Sequence, residues 1–352
     1  MSGIVEPMLA GTVQSPVRVL EWLPEHDDNV RLFVDQHAAG LVYYTPQFRD
    51  FLCAVTQSVS VGTLAWRGGK VSGVLPLHRI EGRYGAVLNT LPFFGSNGGV
   101  LAGDETSFRL LLAAYEKQAR SPGVTSAVWI SNPFDLNSER PGCDLSDRRI
   151  AQWTDLAGDT DILTIIDSSA ARNVKKALSS GIVAREAPEA IDFLEAVHRQ
   201  NMSAIGGRIK PPEFFSSVAG QMEYARDWRL YVAERGEEKL AALLTFEAAR
   251  TVEYVMPAVL DDARTLQPTA AILLHAMTDA AKRGMRRWNW GGTWLSQDGV
   301  YRFKKKWGAQ EREYDYCITL NDRDMLQRTP AELTDAYGYF YTVPFEALTG
   351  KQ

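Results

Sequence analysis

The sequence predicts an α+β fold of two tandem lobes, each with a mixed, mostly antiparallel sheet flanked by helices. The chain has 352 residues, which exceeds the ~250 at which a single hydrophobic core usually stops growing. Two hairpin-like segments in different halves resemble each other. Both halves also follow the order helices, antiparallel strands, helix, strand, which is an α+β pattern and not a strict βαβ alternation.

The two similar segments cover residues 62–77 (GTLAWRGGKVSGVLPL) and 229–246 (RLYVAERGEEKLAALLTF). Each has two apolar runs rich in strand-forming residues on either side of a turn, at 67–70 in the first and 235–238 in the second. Both share an Ala-x-Arg-Gly approach to the turn, and they match with one inserted residue. The repeat predicts a β-hairpin at the same place in each lobe.

Helical spacing of apolar residues predicts a helix before each hairpin, one following Pro46 and one around residues 191–198. After each hairpin a further helix and a strand are predicted. In the first half these are a helix over 107–120 and a buried strand over 124–130.

In the second half, Pro268 stands at a plausible first helical position and residues 282–284 (KRG) close the helix. The chain then resumes as a strand at 287–290. Residues 132–158 are rich in Pro, Gly, Asp, Ser and Arg and predict an irregular connection. We therefore expect a first lobe over 1–155 and a second lobe over 156–324 that carries the reaction centre. The segment 325–352 is expected to pack on the first lobe.

Composition excludes several classes of protein. A net charge of −5 argues against a nucleic-acid coat protein, and the three well-separated cysteines predict no disulfide framework or zinc ribbon. The five histidines have no metal-ligand spacing. The sequence contains no GxSxG, GxxxxGK[ST], HExxH or GxGxxG motif. With no signal-like start and no run of eighteen apolar residues, we expect a cytoplasmic protein without a transmembrane segment.

The strongest local motif lies at residues 288–309 (WNWGGTWLSQDGVYRFKKKWGA). A strand ends in the paired glycines Gly291 and Gly292, where a ligand can approach backbone N–H groups that a Cβ would shield. A short helix with three consecutive lysines follows. Because neighbouring helical residues point about 100 degrees apart, only one lysine can face a cleft. Alternatively, all three lysines are solvated and the neighbouring aromatic residues pack.

Two further basic or polar positions suit anionic ligands. The first turn of the helix at Pro268 is small and polar, and free N–H groups at a helix start bind anions; ordinary capping is the alternative. The segment 172–181 (RNVKKALSSG) is basic and suits a phosphate or diphosphate on a substrate, although basic helix faces are common.

Three stretches together resemble the Fem-type (FemAB-like) aminoacyltransferases and their acetyltransferase-like relatives, a double-lobed branch of the GNAT superfamily. They are residues 75–77 with 91–103 (LPFFGSNGGVLAG), residues 172–181, and Trp290-Gly291-Gly292 with 299–309 (GVYRFKKKWGA). The resemblance covers about residues 40–320. It implies two tandem GNAT-like lobes and direct acyl transfer from a carrier to an amine, without a covalent enzyme intermediate or a permanently bound cofactor.

The resemblance also implies roles for particular residues. Lys304 would stabilise an oxyanion or a nearby phosphate, with Phe303 and Tyr301 beside it in the catalytic group. No single general base stands out from the residues: Asp298, Glu253 and Tyr301 lie in suitable segments, and the alternative is that the amine loses its proton to water or to the substrate itself. The donor-binding residues would be Gln267, Thr269, Ala270, Gly291 and Gly292, and the acceptor-binding residues Arg172 and Lys175. No metal is implied.

The donor stays open between acyl-CoA and aminoacyl-tRNA. No sustained heptad run predicts the coiled-coil arm of the cell-wall members of the family, and no spaced glycines at Gln267 form the superfamily's usual pyrophosphate loop. The leading hypothesis is an N-acyltransferase acting on the amine of an envelope, polysaccharide or secondary-metabolite precursor, with the tRNA acceptor end as a possible partner and no DNA partner. The alternative is a non-catalytic GNAT-like binding module for a phosphorylated or nucleotide-linked ligand.

Overall fold

The structure is a computed structural model that describes residues 15–93, 97–135, 139–156, 158 and 161–350. Parts of the predicted 91–103 motif, of the 132–158 connection and of the two chain ends therefore lie outside the described residues. The helices are α1 Asp27–Gln36, α2 Pro46–Thr56, α3 Glu105–Ala119, α4 Ile162–Ile165, α5 Ser168–Ser179, α6 Ile191–Ala204, α7 Pro212–Gln221, α8 Pro268–Lys282, α9 Asp298–Lys305 and α10 Pro330–Tyr337.

The strands follow the predicted order of helices, antiparallel strands, helix and strand in each half. They are β1 Arg18–Glu21, β2 Val59–Ser60, β3 Thr63–Arg67, β4 Lys70–Leu75, β5 His78–Gly82, β6 Gly85–Asn89, β7 Leu101–Ala102, β8 Val124–Ile130, β9 Leu145–Asp155, β10 Val183–Glu186, β11 Trp228–Arg235, β12 Glu238–Ala248, β13 Thr251–Val259, β14 Arg287–Trp294 and β15 Gln310–Leu320. However, β9 lies within residues 132–158, for which the sequence predicted an irregular connection. That prediction was wrong for this part of the segment, because exposed polar residues alternate with more buried ones along the first part of β9, as they do in a strand.

Both predicted hairpins are present. Strands β3 and β4 pair antiparallel around Gly68 and Gly69, which have φ of 55° and 83°. Strands β11 and β12 pair around Gly236, with φ of 63°. Glycine tolerates such left-handed backbone without a Cβ penalty, which explains the turns at these positions. The helix predicted from Pro268 is α8, and Gly284 with φ of 82° follows its end.

The α+β fold is confirmed. Among the described residues, eleven strands form one sheet in the order β10-β11-β12-β13-β14-β9-β15-β8-β6-β5-β2, and β1-β3-β4-β7 form a second sheet. Two pairs of these strands are parallel, β13 with β14 and β6 with β8, while their other pairs are antiparallel. Helix α8 packs on β11 to β13, and α3 packs on β3, β4 and β8. Each half of the chain thus carries a parallel strand pair and a helix over its sheet.

The two halves share strands, which the sequence did not predict. Strand β9 lies between β14 and β15, and β15 lies between β9 and β8. The strand that ends the first half therefore pairs with the second half, and β15 pairs with the first. This exchange satisfies strand edges that would otherwise be open. The division of the chain at residue 155 stays a prediction, although β9 ends at Asp155.

The C-terminal segment lies against strands of the first half. The backbone N–H of Tyr341 donates to Asn89 Oδ1 at 2.9 Å, and Asn89 Nδ2 donates to the Tyr341 carbonyl at 2.8 Å. The backbone N–H of Phe93 donates to the carbonyl of Tyr339 at 2.9 Å. In the described part of the chain, no helix combines the length and the apolar character that crossing a membrane requires.

Candidate active site

A wedge opens in the sheet where the parallel strands β13 and β14 separate. Their pairing consists of Thr251 with Arg287, Val252 with Trp288 and Glu253 with Asn289. Beyond this point β13 continues beside β12, and β14 continues beside β9, without pairing to each other. Backbone groups along the two inner edges are thus left without a ladder partner. The divergence of two strands at their carboxyl ends is a favourable place for a ligand.

A β-bulge lies on β13 beside this wedge. Leu244 is opposite Met256 and Thr245 is opposite Tyr254, so Val255 has no partner on β12. A bulge adds an unpaired residue and re-aims the backbone, a device often found next to active sites. Val255 therefore has no register partner on either side of β13: the bulge leaves it without one on β12, and the pairing with β14 has already ended at Glu253.

A cavity of about 270 Å³ occupies the wedge. It connects the two faces of the sheet, because Tyr254 and Trp290 pack with the core under α8 whereas Tyr43 and Phe246 belong to the core on the opposite face. Side chains from both faces of the sheet can therefore contact a ligand in this cavity. The cavity is lined by Tyr43, Phe246, Tyr254, Val255, Trp290, Gly291 and Lys304.

Lys304 is the one lysine of the three that points inward. Its side chain is buried, whereas Lys305 and Lys306 are exposed, which confirms the prediction from helical geometry. The Lys304 Nζ donates to the carbonyls of Gly291 at 3.3 Å and Gly292 at 3.1 Å, and to Thr293 Oγ1 at 2.8 Å. Burial lowers its pKa to about 7. All three partners are neutral, so the ammonium charge at the cavity wall is not cancelled by a bonded carboxylate.

Glu253 is a buried carboxyl at the last paired position of β13. Its Oε2 accepts from Tyr43 Oη at 3.0 Å and from Asn289 Nδ2 at 2.7 Å. Its Oε1 is buried and has no hydrogen-bond partner among the described residues. Burial raises the pKa of Glu253 to about 7, against the opposing effect of its two hydrogen bonds and of Arg287. A carboxyl with this pKa and an unused oxygen can accept a proton near neutral pH.

Asn289 holds this arrangement together. Its Nδ2 also donates to Asn97 Oδ1 at 2.7 Å, and its Oδ1 accepts from the backbone N–H of Gly291 at 3.0 Å. Asn97 precedes β7 in the first half of the chain, and its Nδ2 is buried without a partner in the described structure. The carboxyl of Glu253 is therefore positioned by residues from both halves.

The second half of the chain matches a known protein family. Residues 168–305 fit the sequence profile of the acetyltransferase (GNAT) domain family. Residues 168–305 form a GNAT domain. The predicted GNAT resemblance and the predicted enzyme class, a GNAT-type N-acyltransferase, are confirmed by this match. None of the curated proteins that were compared is similar to the chain.

Solved structures with low sequence identity share the fold. FemX is 13% identical with a TM-score of 0.66, and the match covers 85% of this chain and 97% of FemX. The C-terminal DUF2156 domain of a putative lysylphosphatidylglycerol synthetase from Agrobacterium fabrum is 12% identical with a TM-score of 0.57, and the match covers 91% of this chain and 98% of that domain. L-PGS from Bacillus licheniformis is 12% identical with a TM-score of 0.50, and the match covers 86% of this chain and 93% of that protein. These similarities extend over both halves, so the fold of the whole chain resembles the Fem-type architecture.

Within the GNAT domain, the two glycines of β14 have different surroundings. Gly291 has φ of 72°, a left-handed conformation that favours glycine. A Cβ on Gly292 would lie 2.0 Å from the hydroxyl oxygen of Tyr314 on β15. Gly292 therefore makes room for Tyr314, in the space where the sequence predicts the approach of a donor. Gly291 lines the cavity and Gly292 does not.

Tyr301 and Phe303 lie on α9 but do not line the cavity of the GNAT domain. Tyr301 Oη donates to Glu311 Oε2 at 2.8 Å on the neighbouring strand β15. Phe303 is 36% exposed, and its ring meets the edge of Trp290 with centroids 6.1 Å apart. Asp298, another predicted base, is exposed at the start of α9. Lys304 is thus the only one of the three predicted catalytic residues that borders the described cavity.

The other predicted donor and acceptor residues lie on, or directly before, two packed helices of the GNAT domain. Gln267 precedes α8 with φ of 60°, and Thr269 and Ala270 form the first turn of α8; none of the three lines the cavity. Arg172 and Lys175 lie on the exposed side of α5, which packs against α8. Helix α5 begins beside the end of α9, since the backbone N–H of Asp167 donates to the Lys306 carbonyl at 2.8 Å.

Sequence reasoning missed Tyr43, Asn97 and Asn289. Asn97 lies inside the motif over 91–103 and Asn289 lies inside the motif over 288–309, so both belong to recognised patterns. Tyr43 stands in no motif. Only the tertiary structure brings it within 3.0 Å of Glu253.

Proposed function

We propose that the chain transfers an acyl or aminoacyl group from a carrier to an amine in the cavity between β13 and β14. The observation that carries this proposal is the separation of the two parallel strands at a point flanked by the buried groups of Lys304 and Glu253. The carrier is an acyl-CoA or an aminoacyl-tRNA, and the acceptor is the amine of an envelope, polysaccharide or secondary-metabolite precursor.

In the proposed reaction the acceptor nitrogen attacks the acyl carbon directly. A C–N bond forms, and the bond from the acyl carbon to the sulfur or oxygen of the carrier breaks. The carbonyl oxygen becomes negatively charged on the way to the tetrahedral intermediate. Two features next to the cavity suit this charge, namely the backbone amide of the bulge residue Val255, which has no register partner on β12, and the Lys304 ammonium. Preorganised donors of this kind typically contribute ~3 kcal/mol each.

The acceptor amine must lose a proton when it attacks. Tyr43 borders the cavity and donates its hydroxyl proton to Glu253 Oε2 at 3.0 Å. In the proposal Tyr43 accepts the proton of the amine and passes its own to Glu253. The relay then runs back, with Glu253 reprotonating Tyr43 as the Tyr43 hydroxyl gives a proton to the departing sulfur or oxygen of the carrier. The pKa of about 7 matches this exchange to neutral pH.

Helices α5 and α8 of the GNAT domain carry the remaining proposed contacts. Gln267, Thr269 and Ala270 lie at the start of α8, above the same face of the sheet that Tyr254 and Trp290 line. We place the donor on this face. Arg172 and Lys175 are proposed to bind a phosphate of the acceptor, which is supported by their exposure beside the end of α9.

The test is acyl transfer by the purified chain with each radiolabelled donor in turn, acetyl-CoA and a set of aminoacyl-tRNAs, against a panel of amines. Transfer from one donor class is expected, and the Lys304→Met variant should lose it while it keeps its fold. If neither donor binds and none reacts, the enzyme proposal is wrong.

A non-catalytic binding module is the second candidate, and one observation favours it. All three N–H groups of Lys304 already have protein acceptors, so the ammonium must release one of them to contact a substrate. Against this candidate, Trp294 does not close the cavity but packs on Arg149, 3.5 Å from the guanidinium to the ring centre. Tight binding of a donor without turnover with any amine of the panel would favour this second function.

A further inference from the structure

A cleft rich in arginine lies between the two halves of the chain, away from the cavity of the GNAT domain. It consists of two adjoining cavities of about 920 and 530 Å³. One wall is the end of α1 and the residues after it, and the other is formed by the turn before β13 and the turn before β14. We call it the arginine cleft, after its lining residues Arg250, Arg283, Arg286 and Arg287.

The charge of the arginine cleft is not balanced by its own acidic residues. Arg250 and Arg286 are exposed, and neither forms an ion pair with a described residue. Arg283 is neutralised by Glu247, with contacts of 2.6 and 2.7 Å. The acidic residue that lines the cleft in the described structure is Asp35, and it is already paired with Arg31 at 2.8 Å.

Arg287 adds a partly buried charge to the 530 Å³ cavity. Its guanidinium stacks 4.0 Å from the ring centre of Phe134, and its Nε is buried without a hydrogen-bond partner among the described residues. Burial lowers the pKa of Arg287 from its usual value. A partly buried guanidinium with a buried, unused donor is unfavourable unless a further group satisfies that donor. An anion bound in the cleft would do so.

The backbone that presents these arginines is strained. Ala249 and Arg250 are consecutive residues with φ of 48° and 67°, a turn that normally takes Asn-Gly or two glycines. The Arg250 carbonyl accepts from the backbone N–H groups of Arg286 at 2.8 Å and Arg287 at 3.3 Å. The strained turn therefore fixes three arginines relative to one another. Strain of this kind tends to be retained at functional positions.

We propose that the arginine cleft binds successive phosphate groups of an extended, polyphosphorylated ligand. Guanidinium groups recognise phosphate oxygens through paired N–H donors, and fixed spacing of several such groups suits a chain of phosphates. The combined cavity is large enough for such a ligand. The site is separate from the proposed reaction, because the cleft lies at the start of the β13 and β14 pair and the cavity lies beyond its end.

Two sources of this chemistry are distinguished by two probes, inorganic triphosphate and a short fluorescein-labelled single-stranded RNA. The double variant Arg250→Gln/Arg286→Gln removes the two unpaired charges. The matched control is Arg18→Gln/Arg323→Gln, which removes two exposed arginines that also lack a described ion pair and line no described cavity. Binding is measured by fluorescence anisotropy for RNA and by calorimetry for triphosphate, over a series of salt concentrations.

We expect the full chain to bind at least one probe, the cleft variant to bind it about tenfold or more weakly, and the control to bind as the parent does. For RNA, the slope of log affinity against log salt should fall by about 1.4 in the cleft variant, since each neutralised phosphate contributes about 0.7 for single strands. Competition by triphosphate against RNA would place both in the same cleft, and binding of triphosphate alone would identify a small ligand.

The proposal is overturned if neither probe binds at low salt, or if the cleft variant binds as tightly as the control. Because Arg250 has an unusual backbone conformation, Arg286→Gln alone is measured as well, with thermal unfolding of every variant as the check of folding. None of these readouts depends on acyl transfer. The phosphate-binding proposal can therefore be wrong while the proposed acyl transfer is right, and the acyl-transfer proposal can be wrong while phosphate binding is right.

Discussion

The side-chain amide of Asn289 donates to Asn97 Oδ1 across 2.7 Å and thereby joins the two halves of the chain at the candidate active site. The other N–H of the same amide holds Glu253 Oε2, also at 2.7 Å. The orientation of the carboxyl is thus set by a residue of the first half as well as by its own domain. Substitution of either asparagine should therefore change the orientation of the Glu253 carboxyl.

This coupling is tested by the variants Asn97→Ala and Asn289→Ala and their combination. Each single change leaves a buried polar group unpaired and should cost about 1–3 kcal/mol of unfolding free energy. Because both remove the same bond, the double variant should cost less than the sum, with a coupling of about 1 kcal/mol. Urea unfolding measures all three. Asn97→Ala combined with Asn321→Ala is the control, since Asn321 bonds to Ala119 and Val124 instead. Additivity in both pairs would contradict the link.

The buried lysine is expected to matter far more than its neighbour. Lys304→Met keeps the length of the side chain but removes the charge next to the cavity, so turnover should fall about 100- to 1,000-fold. Lys305→Met is the matched control, because Lys305 is exposed and its Nζ pairs with Glu311 at 3.2 Å; it should stay within about threefold of the parent. Steady-state kinetics with the active donor decide the matter. Equal turnover of the two variants would show that Lys304 has a structural role and no catalytic one.

The pH dependence follows from two opposite shifts. Burial raises the pKa of Glu253 to about 7 and lowers the pKa of Lys304 to about 7. Glu253 acts in its ionised form, so activity should rise as pH increases through about 7. Lys304 acts in its protonated form, so activity should fall as pH increases further. The profile of kcat/KM should therefore be bell-shaped with its maximum near pH 7, with apparent values that belong to the pair.

Single substitutions separate the two limbs of this profile. Glu253→Gln should remove the acidic limb, and Lys304→Met should remove the alkaline limb. Residual activity of each variant is compared over the same buffers. A parent profile that is flat from pH 6 to pH 8, or an acidic limb that persists in Glu253→Gln, would contradict the assignment of Glu253 as the proton acceptor.

The close approach of the Tyr314 side chain to Gly292 gives a prediction about stability. A Cβ at position 292 would lie 2.0 Å from the hydroxyl oxygen of Tyr314 but 3.2 Å from its Cζ. Gly292→Ala should therefore destabilise the fold by about 1–3 kcal/mol. Adding Tyr314→Phe removes the clashing atom and should restore most of that loss, as measured by thermal unfolding.

Gly299→Ala is the control for this pair, because a Cβ there would meet no atom within 4 Å and the residue lies in α9. It should be neutral or slightly stabilising. Failure of Tyr314→Phe to restore stability would mean that the glycine is required for its backbone conformation and not for space.

Local features of the fold were predictable because they depend on neighbouring residues. The hairpin at Gly236, the helix from Pro268 and the inward position of only one of the three lysines of α9 follow from turn chemistry and helical periodicity. The choice of Lys304 among the three came from the family resemblance. The exchange of β9 and β15 between the halves was not predictable, because strand alternation gives the faces of a strand and not its neighbours.

The candidate site was predictable only in part, for a related reason. Glu253 and Lys304 lie in segments that carried a local signal, but their partners are distant in sequence. Tyr43 is 210 residues from Glu253, and Asn97 is 192 residues from Asn289. Single-sequence patterns hold no information at such separations. The contact between Gly292 and Tyr314 could not be predicted for the same reason, since Tyr314 reaches Gly292 only across the sheet.

The most direct test of the central claim is the position of a bound donor. Crystals of the chain are grown with a non-reactive acyl-CoA thioether and, separately, with a 3′-aminoacyl-adenosine analogue. We predict that the acyl group of the true donor lies between β13 and β14, with its carbonyl oxygen about 3 Å from the backbone nitrogen of Val255 and on the Lys304 side of the cavity. An acyl group bound elsewhere on the chain, with the wedge empty, would contradict the proposed reaction centre.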